Sequence, residues 1–231
     1  MHADCSSCSF SQMAKEERDM TKYFPIIRHM SKPISRVLIK LPLTPNQITS
    51  MGLIFGLAGC IFFLSPEVKM KVIGSLLFVI AYILDNCDGE VARHKNLAST
   101  FGHSYDTFSD WIINTGIFAV LGFGISAETG NNLWLGLGLV SSLGSTINYM
   151  ISLFLNKPSN KKEKLEEKSQ PKNFKEYLIF VFRELFRADF CFIVLGLSII
   201  DQMWILLPAG AIGSQVYWLM FFLAKDKNYH V

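Results

Sequence analysis

Four aspartates lie close together near the middle of the chain, namely Asp85, Asp88, Asp106 and Asp110. The first two are three residues apart and the last two are four apart, so each pair shares one face of a helix. Long apolar runs flank the segment that contains all four. Carboxylates at the ends of membrane-length helices are costly to desolvate, which makes these residues candidates for function.

Carboxylates that converge from two adjacent helices cannot all stay ionised without cations. Hard divalent ions that prefer oxygen ligands, such as Mg²⁺, Mn²⁺ or Ca²⁺, would balance their charge. Two such ions about 4 Å apart would suit an in-line displacement at phosphorus. The spacing of the aspartates therefore predicts a divalent-cation site suited to phosphoryl chemistry.

Small residues and one arginine accompany the aspartates. Gly89, Ala92 and Gly102 leave room for a bulky ligand against the backbone. Arg93 supplies a planar cation that can bind a phosphate group through two parallel hydrogen bonds. Together these residues indicate a pyrophosphate substrate that meets a second substrate at a membrane surface.

The elements that position these residues are predicted to be membrane-spanning helices. Half of the 231 residues are hydrophobic and the mean hydropathy is +0.30, which is typical of a polytopic membrane protein. Six apolar runs are long enough to cross a bilayer, at roughly 46–65, 70–86, 107–127, 132–155, 177–200 and 203–224. The predicted fold class is therefore all-α, with six transmembrane helices.

The basic residues predict how these helices are oriented. With alternate loops assigned to opposite sides, 20 of the 22 Lys and Arg residues fall on one side, and only Lys69 and Lys71 fall on the other. The first side is therefore expected to be cytoplasmic, with both termini inside. We expect an integral, multi-pass protein of the cell membrane in a prokaryote or of the endoplasmic reticulum in a eukaryote. No continuous basic stripe is present, so no nucleic-acid partner is expected.

The segment before the first span has a different pattern. Residues from about 15 to 43 alternate basic and apolar side chains, which is typical of an amphipathic helix in the membrane interface, interrupted near Pro33. Thr44 and Pro45 then predict the start of the first span, as a cap and a first-turn proline. The expected organisation is a polar tail at 1–20, one membrane domain at 21–225 and a cytoplasmic tail at 226–231.

The motif D-x-x-D-G-x-x-A-R, followed after eight residues by G-x-x-x-D-x-x-x-D, resembles the signature of the CDP-alcohol phosphatidyltransferase family. All eight signature positions are filled, by Asp85, Asp88, Gly89, Ala92, Arg93, Gly102, Asp106 and Asp110. Thr44-Pro45-Asn46 is similar to the family's entry motif. The resemblance implies a transferase of phospholipid or polar-headgroup biosynthesis, which moves a phosphoryl-alcohol group, here phosphatidyl, from a CDP-linked donor to an acceptor hydroxyl and releases CMP.

Residue roles follow from the resemblance by position. Asp85, Asp88 and Asp106 would bind Mg²⁺ or Mn²⁺. Asp110 would be the general base that takes the acceptor's proton, and it would also touch the metal. The donor, expected to be CDP-diacylglycerol, would contact residues of the first three spans, namely Asn46, Thr49, Gly89, Ala92, Arg93, Ser99 and Gly102.

The acceptor alcohol is less well defined. Glu90 makes the local string similar to family members that use inositol phosphate, and glycerol phosphate is the other acceptor considered. Candidate acceptor-binding residues are Asn114, one helical turn after Asp110, and Arg183 and Arg187 at the start of the fifth span. The two arginines would either hold a phosphorylated acceptor or extend to lipid headgroups.

Several alternatives stay open at the level of the sequence. Single aspartates could cap helices, a divalent-cation transporter or channel could use the same carboxylates, and a non-catalytic lipid-binding relative could share the fold. Transport sites usually lie near the bilayer midplane on broken helices, whereas these carboxylates lie at one helix end. The stripe of Gly52, Gly56 and Gly59 permits close helix contact, either in a homodimer or within one chain.

Overall fold

A computed structural model of the chain describes residues 26–155 and 189–223. These residues form seven α-helices, with a short 3₁₀ turn at Met203–Ile205 before the last one. The helices are α1 (Ile26–Lys40), α2 (Pro45–Phe62), α3 (Val68–His94), α4 (Thr100–Thr129), α5 (Asn132–Leu155), α6 (Phe190–Ile199) and α7 (Leu206–Leu223). The all-α prediction is confirmed for this part of the chain.

The helices are compatible with a membrane protein. By length and composition, α2 and α4 could each cross a bilayer, while α6 and the segment Met203–Val216 are shorter apolar helices. The predicted total of six spans and the side on which each terminus lies stay predictions.

Helix α1 differs from its prediction at one residue. It runs without a break from Ile26 to Lys40 with Pro33 inside it, so the predicted interruption near Pro33 is wrong. A proline removes one backbone hydrogen bond and crowds the carbonyl four residues earlier, here that of His29. Both Pro33 and His29 are exposed, so the freed carbonyl can bond to solvent, while the opposite face stays packed.

Three faces can be distinguished on α1. The face that packs on α3 consists of Ile27, Ser31, Ser35 and Leu38. A second, exposed face is apolar, with Ile26, Met30, Ile34 and Val37, and a third carries Arg28, Lys32 and Arg36. An exposed apolar stripe beside a basic one is the arrangement of a helix that lies in a membrane interface.

Asp189 connects the start of α6 to the start of α1. Its side chain is fully buried, and its two carboxylate oxygens accept hydrogen bonds from the backbone N–H groups of Ile26 and Ile27, each at 3.0 Å. The first N–H groups of a helix have no partner within the helix, and a carboxylate there is also favoured by the helix dipole. Asp189 therefore anchors α1 to the bundle.

We expect Asp189→Ala to lower the free energy of unfolding by about 1–3 kcal/mol, because two N–H groups lose their acceptor. Thermal unfolding of the purified protein in detergent measures the effect as a lower melting temperature. Asp189→Asn keeps one acceptor oxygen and should give an intermediate value. Melting temperatures that match the wild type in both variants would show that α1 is anchored by its packing on α3 alone.

Glycines bring α2 close to its neighbours. A Cβ atom added to Gly59 would lie 2.7 Å from the carbonyl oxygen of Gly74 on α3, so the two backbones touch at this crossing. A Cβ atom on Gly56 would lie 2.6 Å from the Ile113 side chain on α4. The glycine stripe of α2 thus packs within one chain, and a homodimer stays a separate prediction. This tight packing holds α2, α3 and α4 in the register that aligns their polar residues.

Candidate active site

Three of the four aspartates converge where α3 and α4 meet. One carboxylate oxygen from each of Asp85, Asp88 and Asp106 lies within 4.8 Å of the other two. Asp85 and Asp88 lie near the end of α3, and Asp106 lies near the start of α4, after the short connection 95–99. Helix α2 packs against both of these helices. The helical spacing seen in the sequence therefore does place carboxylates from two helices together.

The surroundings of the three carboxylates fit a divalent cation. Asp106 Oδ1 is buried and has no hydrogen-bond partner among the described residues, so this carboxylate has one strong acceptor that is unpaired. Asp88 is 5% exposed, and its Oδ2 accepts a hydrogen bond from Thr49 Oγ1, which fixes the orientation of its carboxylate. Carboxylate oxygens from three aspartates close together, with an unpaired acceptor on one of these side chains, are the donor set that Mg²⁺ or Mn²⁺ prefers.

Asp110 occupies a different position from the other three. It lies one helical turn beyond Asp106 on α4 and, unlike the buried Asp88, its side chain is exposed. It lines a narrow cleft together with Asp85, Tyr82 and Asn114. It is outside the group of three oxygens that approach one another within 4.8 Å, so its predicted contact with metal stays a prediction.

A cavity of about 350 Å³ adjoins the three carboxylates on one side. Asp88 and Asp106 form part of its wall. All seven residues that were predicted to contact the donor line it, namely Asn46, Thr49, Gly89, Ala92, Arg93, Ser99 and Gly102. The structure thus brings together side chains from the starts of α2 and α4 and the end of α3.

Local structure explains why these residues lie at the cavity. Thr44 and Gln47, the third residue of α2, form a reciprocal capping box, which sets the start of α2 and hence the position of Asn46. Ser99 caps α4 by accepting a hydrogen bond from the Gly102 N–H at 3.0 Å. A Cβ atom on Gly102 would lie 3.2 Å from Asn46 Oδ1, so a larger residue would crowd the cavity wall.

Arg93 is placed over Gly89, the first glycine of the motif. A Cβ atom on Gly89 would lie 3.5 Å from Arg93 Nη1, because the guanidinium group folds back along α3. Leu97, Ala98 and His103 also line the cavity, and none of them was among the predicted site residues. Their position in the sequence was the signal for them, because Leu97 and Ala98 lie between the two halves of the motif and His103 follows Gly102.

A second, larger cavity of about 420 Å³ lies beyond Asp110. Tyr82 and Asn114 line both this cavity and the narrow cleft of Asp110, so they stand between the two spaces. The other lining residues come from α4 to α7 and combine aromatic rings with uncharged polar groups, among them Thr107, Trp111, Phe118, Ser145, Asn148, Tyr149 and Phe190. Asn114 thus faces the site, whereas Arg183 and Arg187 lie outside the described residues.

Polar contacts hold the wall of the larger cavity in place. Asn148 Nδ2 donates to the Ser214 carbonyl at 3.2 Å and ties α5 to α7, while its Oδ1 is buried and has no partner within 26–155 and 189–223. The Trp111 ring stacks on Tyr149 with the ring centroids 4.9 Å apart, and its Nε1 donates to Thr146. These residues had no pattern in the sequence that distinguished them from ordinary packing.

The fold and the site together define an α-helical protein in which a carboxylate cluster lies between two cavities. The family model described as CDP-alcohol phosphatidyltransferase matches residues 42–170, which is more than half of the chain and includes the whole motif. The chain therefore belongs to the CDP-alcohol phosphatidyltransferase family.

Similar curated proteins cover only part of the chain. The bifunctional IPC transferase and DIPP synthase of Thermococcus kodakarensis is 28% identical over 120 residues, which is 52% of this chain and 26% of that protein. The archaetidylinositol phosphate synthase of Pyrococcus horikoshii is 30% identical over 108 residues, 46% of this chain and 53% of that protein. The chain thus matches about a quarter and about half of the length of these two relatives.

Two further matches complete the comparison. The CDP-diacylglycerol–glycerol-3-phosphate 3-phosphatidyltransferase of Rickettsia typhi is 33% identical over 70 residues, 30% of this chain and 39% of that protein. Among solved structures, the phosphatidylinositol phosphate synthase of Mycobacterium tuberculosis with CDP-DAG bound aligns with a TM-score of 0.51 and 22% identity, over 80% of this chain and 90% of that one. At this identity, the structural likeness shows a shared fold.

Proposed function

We propose that this protein transfers a phosphatidyl or similar phosphoryl-alcohol group from a CDP-linked donor to an acceptor hydroxyl and releases CMP, as a step in phospholipid biosynthesis. The observation that carries the proposal is the cavity of about 350 Å³, which all seven expected donor-binding residues line beside the carboxylate cluster. Membership of the family and the activities named for its relatives in Pyrococcus and Rickettsia support it.

The donor binds with its cytidine diphosphate part in this cavity. Arg93 pairs with pyrophosphate oxygens through its planar guanidinium, and the absence of side chains at Gly89 and Gly102 lets the ligand approach the backbone. Asp85, Asp88 and Asp106 would hold a divalent cation, Mg²⁺ or Mn²⁺, which would neutralise charge on the pyrophosphate and on the departing CMP. The donor is CDP-diacylglycerol, the ligand named for the solved structure from Mycobacterium.

The acceptor enters from the larger cavity, on the other side of the cluster. Its hydroxyl reaches Asp110 through the cleft between Tyr82 and Asn114, and Asp110 takes its proton as the new phosphorus–oxygen bond forms. The bond between that phosphorus and CMP breaks in the same displacement. Inositol phosphate and glycerol phosphate are the proposed acceptors, with Asn114, Arg183 and Arg187 as the residues that bind them.

The site opens at one membrane surface in this proposal. Six spans, with α1 in the interface and both termini in the cytoplasm, put the motif at the cytoplasmic ends of the second and third spans. The basic and apolar stripes on α1 and the apolar helices α2 and α4 support this arrangement. Two chains are proposed to form a homodimer.

A CMP-release assay on the purified protein with Mg²⁺ tests the function. CDP-diacylglycerol and water-soluble CDP-alcohols serve as donors, each against inositol phosphate, glycerol phosphate, serine, inositol and diacylglycerol. We expect CMP with CDP-diacylglycerol and one phosphorylated acceptor. CMP release with a different pair of donor and acceptor would replace the proposed substrates with that pair. Metal-dependent CDP binding without CMP release would point to an acceptor outside the panel, and neither binding nor release would favour a cation transporter.

A further inference from the structure

A second group of charged residues lies at the opposite end of the bundle from the aspartate motif. Lys71 is 6% exposed, and its Nζ lies 3.1 Å from Asp201 Oδ1 and 3.7 Å from Glu128 Oε2. Lys71 precedes Asp88 by 17 residues on α3, which corresponds to about 25 Å along the helix axis. The group therefore has no part in the phosphoryl chemistry at the other end.

These charges border a cavity of about 280 Å³. Two tryptophans form further parts of its wall: Trp134 at the start of α5 and Trp204 in the 3₁₀ turn. Their ring centroids are 5.9 Å apart and their planes meet at 67°, so the rings stand as two adjoining walls and not as a flat stack. Two aromatic rings at such an angle, next to carboxylates, resemble the aromatic cages that bind organic cations.

The net charge of the cavity determines whether it favours a cationic or an anionic ligand. Among the described lining residues, one lysine is set against two carboxylates, which leaves one net negative charge. The Lys71 side chain is 7% exposed, whereas the side chains of Glu128 and Asp201 are 44% and 51% exposed. The accessible charge in the cavity is therefore carboxylate, and an anionic ligand would be repelled.

The aromatic walls further limit the kinds of ligand that the cavity can bind. A bare metal ion would gain little from tryptophan faces, and a neutral polyol would leave the negative charge unpaired. An ammonium group with attached carbon atoms can contact the ring faces and the carboxylates at once. Tryptophans are also enriched at the level of lipid headgroups, where such a group would lie in a membrane protein.

We propose that this cavity binds an organic ammonium group, primary or quaternary, as carried by ethanolamine and choline. The group comes either from the headgroup of a membrane lipid or from a free amine. Trp134 and Trp204 contact its carbon atoms, and Glu128 and Asp201 balance its charge. Lys71 holds both carboxylates in place from behind.

Binding is tested on the full chain purified in detergent, in two arms. In the first, ligand-induced shifts of the melting temperature are measured with choline and ethanolamine, with glycerol as the neutral control. In the second, native mass spectrometry compares retention of phosphatidylcholine and phosphatidylethanolamine with that of phosphatidylglycerol. The variants are Trp204→Leu, Trp204→Phe and Glu128→Gln, and Glu67→Gln is the matched control, an exposed glutamate at the same end outside the cavity.

We expect ammonium ligands to bind the wild type and Glu67→Gln equally. Trp204→Leu should weaken binding about tenfold and Trp204→Phe should restore most of it, because phenylalanine keeps an aromatic face. Glu128→Gln should weaken binding about threefold or more. Binding in the lipid arm alone would identify the ligand as a lipid headgroup. Binding in both arms would show that the cavity recognises the ammonium group whether it comes from a lipid or from a free amine. Equal responses to glycerol or phosphatidylglycerol, or full binding by Trp204→Leu, would overturn the proposal and leave an ion pair that only joins helices.

Discussion

An Asp110→Asn variant is expected to lose CMP release almost completely while it still binds the CDP-linked donor. The amide cannot accept the acceptor's proton, and loss of a general base typically costs about 10²–10⁴-fold in rate. Donor binding should survive because Asp110 does not line the donor cavity, which borders Asp88 and Asp106 instead. Turnover and donor binding are measured separately, by CMP release and by equilibrium titration with the donor.

The control for this variant is Glu90→Gln. It makes the same carboxylate-to-amide change two residues from Asp88, at a side chain that lines neither cavity in the described part of the chain. We expect it to keep most of its activity. An Asp110→Asn protein that turns over at a rate near that of Glu90→Gln would remove Asp110 from the role of base.

The clustering of the aspartates could be predicted because helical periodicity is a local property of the sequence. Asp85 and Asp88 share a face whatever the rest of the chain does, and the short connection to α4 keeps Asp106 near the same end of the bundle. The start of α2 was equally predictable, since Thr44 and Pro45 act on the backbone next to them. Predictions of this kind depend on interactions between residues close in sequence.

Features that depend on distant contacts were not predictable. Lys71 contributed to the sequence analysis only as a positive charge on one side, although it pairs with Asp201, 130 residues away. The anchoring of α1 by Asp189 similarly joins residues more than 160 positions apart. Pro33 was expected to interrupt its helix from local rules, and packing of the opposite face on α3 overrides them. Tyr82 looked like one apolar residue among many, yet it separates the Asp110 cleft from the larger cavity.

Removal of divalent cations is expected to abolish activity, and Mg²⁺ or Mn²⁺ should restore it. Without a cation, the carboxylates of Asp85, Asp88 and Asp106 would repel one another and the pyrophosphate. Asp106 Oδ1 would also stay buried with no partner from the part of the chain that the structure describes. EDTA treatment of the purified protein, followed by titration with each metal, measures this as CMP release. Unchanged release in excess EDTA would contradict the assignment of these residues as a metal site.

Substitution of one of the three aspartates distinguishes a metal ion bound at this cluster from a general need of the reaction for cations. Asp106→Asn removes one negative charge from the three, so the Mg²⁺ concentration at half-maximal activity should rise on the order of tenfold or more. Glu90→Gln again serves as the control, because it also loses one negative charge on α3, at a side chain outside the cluster. If both variants needed the same Mg²⁺ concentration as the wild type, the cation would act on the nucleotide in solution and not through these aspartates. A shift in Asp106→Asn alone would place the cation at the junction of α3 and α4, between the donor cavity and Asp110.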